Sequence, residues 1–173
     1  MNLNNLFQNF CKKNNLEINS YQLTIIDELK SYYKLNFNKS ILNKFFSKNN
    51  SRLAFYLHGG VGVGKTMILN FFFDLVEEKK LKQHFNEFML SFHDFAHERK
   101  EINEENIINQ FVKDLKSKTK LIYFDEFQVT NIVDAMILGK LFEQIFKENI
   151  KIILTSNTKI SELYKDGLQR DQF

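Results

Sequence analysis

The chain is predicted to fold as an α/β domain with a mostly parallel sheet flanked by helices, and three observations carry that prediction. Three short apolar runs, Leu53 to Leu57, Leu121 to Phe124 and Ile150 to Leu154, each stop at a polar cluster. Stretches with helical apolar spacing separate them. A glycine-rich phosphate-binding pattern follows the first run directly. In an open parallel sheet, ligands bind outside the carboxyl ends of the strands, so the three polar clusters are expected to converge on one crevice.

Taken in order, Leu3, Leu6, Phe7 and Phe10 form a short amphipathic stripe, read as a helix packed on the core. Asn19 and Ser20 are suited to cap a helix whose apolar face is Leu23, Ile26, Leu29 and Tyr33. A further helical stretch over about 39–46 and a polar loop at 47–51 lead into the first strand. Residues 1–50 thus read as an N-terminal helical segment and 51–173 as the core. After the glycine-rich loop comes a helix carrying Phe71 to Phe73 and ending near Lys80, then a second strand over Gln83 to Phe88. Asn103 caps a helix with Ile107, Ile108, Phe111 and Leu115 on one side, and Leu138, Leu141, Phe142 and Ile145 make another such face. There are no repeats and no linker long enough to separate domains.

Residues Gly59-Gly60-Val61-Gly62-Val63-Gly64-Lys65-Thr66 fit the P-loop pattern, and with Met67 they are the candidate nucleotide-binding set. Glycines let backbone N–H groups turn toward a triphosphate, and the helix that follows points its positive end at the same phosphates. Lys65 would place a point charge on the β- and γ-phosphates, and the Thr66 hydroxyl would take one position around Mg²⁺.

At the second strand end, Asp125-Glu126 has the Walker B arrangement of ATPases that keep a glutamate beside the metal-binding aspartate. Asp125 would hold Mg²⁺ through a water, and Glu126 would orient or deprotonate the attacking water. At the third strand end, Asn157 would sense the γ-phosphate or that water. The implied reaction is ATP hydrolysis. A GTPase is disfavoured, since no Asp-x-x-Gly follows the second run and no Asn-Lys-x-Asp guanine reader occurs. A small-molecule kinase would carry an arginine-rich lid, whereas this chain has Arg52, Arg99 and Arg170 alone.

Composition narrows the field further. The 173 residues carry 24 basic and 21 acidic side chains without a basic stripe, so direct nucleic-acid binding is not expected. The 19 phenylalanines suit a sizeable core, and the absence of proline and tryptophan beside abundant Asn, Lys and Ile reads as genome bias. Cys11 is the one cysteine, which excludes an internal disulfide, and no run approaches a membrane span or a signal-peptide core. His93 and His97 stand four apart as in zinc proteases, but Asp94 replaces the general-base glutamate, so structural histidines are expected.

These residues also carry a family resemblance. Gly59-Gly60-Val61-Gly62 before Gly64-Lys65-Thr66-Met67, His84-Phe85 with Phe88-Met89-Leu90, Asp125-Glu126-Phe127-Gln128-Val129-Thr130 continuing to Asp134-Ala135-Met136-Ile137-Leu138, and Thr155-Ser156-Asn157 followed by Leu163 to Arg170 resemble the ZapE-type cell-division ATPases and their mitochondrial relatives. The resemblance spans roughly residues 50 to 173. It implies an AAA+ type P-loop ATPase of the bacterial cytoplasm, working as a homo-oligomer or against a protein partner, with the tubulin-like division protein FtsZ as the associated partner of bacterial members. Arg170 would match the arginine that reaches a neighbouring subunit's γ-phosphate. A helicase-loader type ATPase, which would need nucleic acid, and a non-hydrolysing binding module are the alternatives. Asn131 stands where the family carries acidic residues, and Thr158-Lys159-Ile160 where it carries prolines. Members continue into a fifth strand and a helical lid, with strand order 5-1-4-3-2. The expectation is therefore a C-terminally truncated core with the P-loop strand at a sheet edge and impaired turnover.

Overall fold

The structure is a computed structural model and describes residues 2–37, 52–99 and 103–165. The helix expected at about 39–46 and the candidate Arg170 lie outside these residues.

Two helices open the chain. In α1 (Leu3–Lys13), Leu3, Phe7 and Cys11 follow at four-residue intervals, so all three face inward and are buried, while Asn2 caps the first turn. Leu6 turns outward, which narrows the expected stripe. The start of α2 (Ser20–Asn36) is fixed by a reciprocal capping box. The Asn19 carboxamide accepts the Gln22 N–H at 2.9 Å, and Gln22 Oε1 accepts the Asn19 N–H at 3.2 Å.

Four parallel strands form one sheet: β1 (Ala54–His58), β2 (Lys80–His84), β3 (Leu121–Asp125) and β4 (Lys151–Ser156), in the order β1-β4-β3-β2. This matches the 1-4-3-2 portion of the expected order, and among the described residues β1 pairs with β4 alone. Helices α3 (Lys65–Leu75), α4 (Phe85–His97), α5 (Glu104–Lys118) and α6 (Ile132–Lys147) cover the two faces, and a 3₁₀ turn (Ile160–Glu162) follows β4.

The second strand departs from expectation. It runs Lys80–His84 rather than Gln83 to Phe88, and Phe85 opens α4. Glu87 accepts the His84 N–H at 3.3 Å, an acidic cap at the helix start, and the apolar spacing Phe85, Phe88, Phe92 is helical. Three aromatic residues near one another mimic a strand by composition, but their period assigns them to a helix. Likewise α3 ends at Leu75, one turn before the expected Lys80.

Alternation along the central strands sorts the core into two layers. Ile122 and Phe124 of β3, with Ile152 and Leu154 of β4, pack against α4, α5 and α6 through Phe88, Val112, Leu138 and Leu141. Leu121, Tyr123 and Ile153 point the other way, against α1, α2 and α3 through Phe7, Ile26, Ile68 and Phe72. Every residue of β3 and β4 is buried, as expected for parallel strands covered on both faces. The two N-terminal helices therefore brace the helix that follows the P-loop. Among the described residues, no helix is long and apolar enough to cross a membrane.

Candidate functional site

The carboxyl ends of β1, β3 and β4 meet around a cleft of about 280 Å³. It is lined by Val61, Gly62, Gly64, Lys65, Thr66, Met67, Glu126, Thr155, Ser156 and Asn157, so all three polar strand ends reach one place. Gly59 and Gly60 complete the loop from β1, and Val63 is exposed at its turn. Gly64 has φ 88°, and a Cβ there would lie 3.1 Å from Gln22 Nε2 and 3.3 Å from Met67 Cε. The left-handed backbone therefore demands glycine at that position, and the Gln22 and Met67 side-chain ends would also have to give way slightly to a Cβ.

Lys65 is 9% exposed. Its ammonium donates to Gly59 O at 2.9 Å, Gly60 O at 2.7 Å and Asn157 Oδ1 at 2.9 Å. None of these acceptors is a carboxylate. A buried ammonium served by neutral acceptors alone is poised for an anion, since burying an unpaired charge is costly.

Asp125 is the most densely bonded acid of the site. Its Oδ1 accepts from Thr155 Oγ1 at 2.5 Å, Thr66 Oγ1 at 3.0 Å and Tyr123 Oη at 3.2 Å, while Oδ2 faces Lys82 Nζ at 3.7 Å. Burial by itself would raise its pKa, but the hydroxyls of Thr155, Thr66 and Tyr123, with Lys82, outweigh burial and hold the carboxyl below its ordinary value. Tyr123 responds in the opposite sense: burial and the adjacent carboxylate push its phenol up.

Glu126 follows with φ 55°, a left-handed conformation that a non-glycine residue adopts at a cost of roughly 1–3 kcal/mol. The end of β4 enforces it. Thr155 Oγ1 accepts the Glu126 N–H at 3.0 Å, Thr155 O accepts the Phe127 N–H at 2.7 Å, and Ser156 Oγ donates to Phe127 O at 2.7 Å. The turn aims the exposed Glu126 side chain along the cleft while Phe127 enters the core.

The donor set fits Mg²⁺. One hydroxyl and one carboxylate, held 3.0 Å apart, are hard oxygen ligands of the kind that share this ion with waters and phosphate oxygens. Among the described residues no cluster of three or more His, Cys, Asp or Glu side chains could cage a metal by itself. His93 instead bonds Asp134 at 2.7 Å, tying α4 to the start of α6, and His97 is exposed. A wider groove of about 480 Å³ between α5 and α6 contains none of the candidate residues, and there Lys140 pairs with Glu104 at 2.7 Å.

Three participants escaped sequence reasoning: Thr155, Tyr123 and Lys82. Thr155 stood in the polar cluster at the end of the third run, and Tyr123 shares a strand face with Asp125 by the two-residue period. Lys82 carried no signal before the pairing of β2 with β3 was known.

The model of the AFG1-like ATPase family matches residues 9–173. Lactation elevated protein 1 homolog B of Danio rerio is 41% identical over 137 residues, covering 73% of this chain and 27% of that protein. Cell division protein ZapE of Escherichia coli K12 is 39% identical over 120 residues, covering 68% of this chain and 31% of that protein. The chain thus spans less than a third of the length of these relatives. Among solved structures, AMPPCP-bound DnaA from Aquifex aeolicus superposes with a TM-score of 0.56 at 18% identity, over 91% of this chain and 44% of that one. DnaI superposes with a TM-score of 0.50 at 18% identity, over 88% and 78%. These likenesses show that the α/β fold is shared with nucleotide-bound DnaA and with DnaI.

Proposed function

The chain belongs to the AFG1-like ATPase family, and from that premise we propose that its P-loop core binds ATP with Mg²⁺ and hydrolyses it, coupling nucleotide state to a protein partner. The observation that carries this reading is the 3.0 Å contact between Thr66 Oγ1 and Asp125 Oδ1, in a cleft shared with Lys65, Glu126 and Asn157.

In this reading the amides of Gly59 to Met67 and the start of α3 bind the phosphates, and Lys65 turns from the Gly59 and Gly60 carbonyls to the phosphate oxygens. Thr66 and Asp125 would hold Mg²⁺, which when bound neutralises charge on the phosphate oxygens. Glu126 orients the attacking water and accepts its proton, and Asn157, already bonded to the Lys65 ammonium, reports γ-phosphate contact to β4. Arg170, beyond the described residues, is proposed to act in trans within a homo-oligomer.

The likeness to a protein named for cell division supports a role in division, and a FtsZ-like partner and a cytoplasmic location are proposed from the family resemblance alone. Titration of a fluorescent ATP analogue with Mg²⁺, beside Lys65→Ala, tests the binding step. Steady-state hydrolysis with and without Glu126→Gln tests the chemical step. Equal binding by Lys65→Ala would sink the nucleotide-site reading, and turnover unaffected by Glu126→Gln would sink the assignment of the base.

A further inference from the structure

We propose that the Lys82 ammonium is a built-in competitor for the metal, a cation held against Asp125 that sets how much Mg²⁺ the nucleotide site requires. The proposal rests on the nucleotide-site reading above and assigns a regulatory residue to it.

Lys82 lies on β2 directly beside Tyr123 of β3, so both side chains project toward α3 and the P-loop. Three groups hold its ammonium there. Asn70 Oδ1 of α3 accepts from Nζ at 2.7 Å, the Tyr123 ring centroid is 4.9 Å away, and Asp125 Oδ2 is 3.7 Å away. The strong bond goes to the neutral amide, and the carboxylate contact is longer than a hydrogen bond. Asn70 and Tyr123 thus act as a bracket that keeps a positive charge near the carboxylate without locking the two together.

The division of labour on Asp125 gives this arrangement its consequence. Three hydroxyls converge on Oδ1, which leaves Oδ2 as the oxygen turned toward a cation, and Lys82 faces that oxygen. A divalent ion held by Thr66 and Asp125 would share that carboxylate with Lys82, and the bracket of Asn70 and Tyr123 would keep the like charge within several ångströms of it. The Lys82 side chain is 38% exposed, so water screens the repulsion but does not abolish it. Opposing a divalent charge at that range raises the half-saturating Mg²⁺ concentration by roughly three- to thirtyfold.

The experiment is a Mg²⁺ titration of the binding of a fluorescent, non-hydrolysable ATP analogue to the purified 173-residue chain, compared with Lys82→Met, Lys82→Gln and Lys82→Arg. Methionine keeps the aliphatic stem along Tyr123 and removes the charge. Glutamine removes it while keeping polarity, and serves if the methionine variant does not fold. Arginine retains the charge. The expected result is a half-saturating Mg²⁺ concentration about three- to thirtyfold lower in the neutral variants and within about twofold of the parent in Lys82→Arg. A requirement that is unchanged or higher in the folded neutral variants overturns the proposal, because a residue that merely props up Asp125 would weaken metal binding when lost. An equal fall in Lys82→Arg also overturns it, since shape rather than charge would then be responsible. No binding by the parent at any Mg²⁺ concentration overturns the nucleotide-site reading itself, and this proposal with it.

Discussion

Thr155 Oγ1 lies 2.5 Å from Asp125 Oδ1 and accepts the Glu126 N–H at 3.0 Å, so one hydroxyl of β4 holds both acidic residues at the end of β3. The two bonds are compatible only if Thr155 donates its proton to the carboxylate and uses a lone pair for the amide. Replacing it with near-isosteric valine deletes both bonds and leaves the buried carboxylate one donor short. Thr155→Val is therefore expected to cost about 1–3 kcal/mol of stability. Hydrolysis at saturating ATP should fall about ten- to hundredfold, since Glu126 is no longer pinned. Thr155→Ser should recover most of both losses. Denaturant unfolding and steady-state turnover read them separately, and parental turnover in the valine variant would remove Thr155 from any positioning role.

Lys65 presents the opposite balance of stability and binding. Its ammonium is buried among neutral acceptors, and such a group costs stability when no anion is present. Lys65→Met is expected to weaken binding of an ATP analogue at least about a hundredfold while leaving the nucleotide-free protein as stable as the parent, or up to about 2 kcal/mol more stable. Melting curves without nucleotide, set beside a binding titration, test both halves. A variant that loses binding because it no longer folds would contradict this prediction.

Much of the fold could be read from particular residues, and the misses have a common cause. The P-loop and the Asp125-Glu126 pair were legible because their spacing within one segment is itself the signal. The caps at Asn19 and Asn103 were legible for the same reason, and both side chains accept the N–H three residues on, at 2.9 Å. The second strand was misplaced because Phe85 and Phe88 were weighed by composition, whereas their three-residue spacing, continued to Phe92 and backed by the Glu87 bond to His84, is helical. Lys82, Tyr123 and Thr155 act across three neighbouring strands, so their roles arise from strand register rather than from local spacing. The left-handed Glu126 belongs to the same class, since a hydroxyl 29 residues further along the chain holds its amide.

Asn131, which the resemblance would have made acidic, caps α6 by accepting the Val133 N–H at 2.8 Å. Asn131→Ala is expected to cost about 1 kcal/mol. Asn131→Asp keeps the acceptor and adds a negative charge at the positive end of the helix, a favourable change of about 0.3–1 kcal/mol. Asp134 already occupies that first turn, but it is engaged with His93, which limits the repulsion between the two carboxylates. Urea unfolding of both variants decides the matter. An aspartate variant less stable than the alanine one would show that repulsion at the start of α6 outweighs the cap.

The last prediction concerns pH. Lys151 opens β4 and is 8% exposed, with its ammonium donating to Asn149 O at 2.9 Å and Asn149 Oδ1 at 3.0 Å. Burial, reinforced by the positive charges of Lys116 and Lys120, holds its pKa below the ordinary lysine value. Because the folded pKa lies below the unfolded one, the unfolded chain binds more protons as pH passes between the two, and stability rises with pH over that window. At neutral pH the penalty for burying the charged form is present in full. Lys151→Met should therefore stabilise the protein at pH 7, by about 0.5–2 kcal/mol as is common for such substitutions. Its advantage should shrink as pH rises through the folded pKa of Lys151, where the parent sheds the charge. Melting temperatures of both proteins from pH 7 to 10 test the sign directly, and an advantage that held constant or widened with pH would show that packing, rather than the buried charge, separates them.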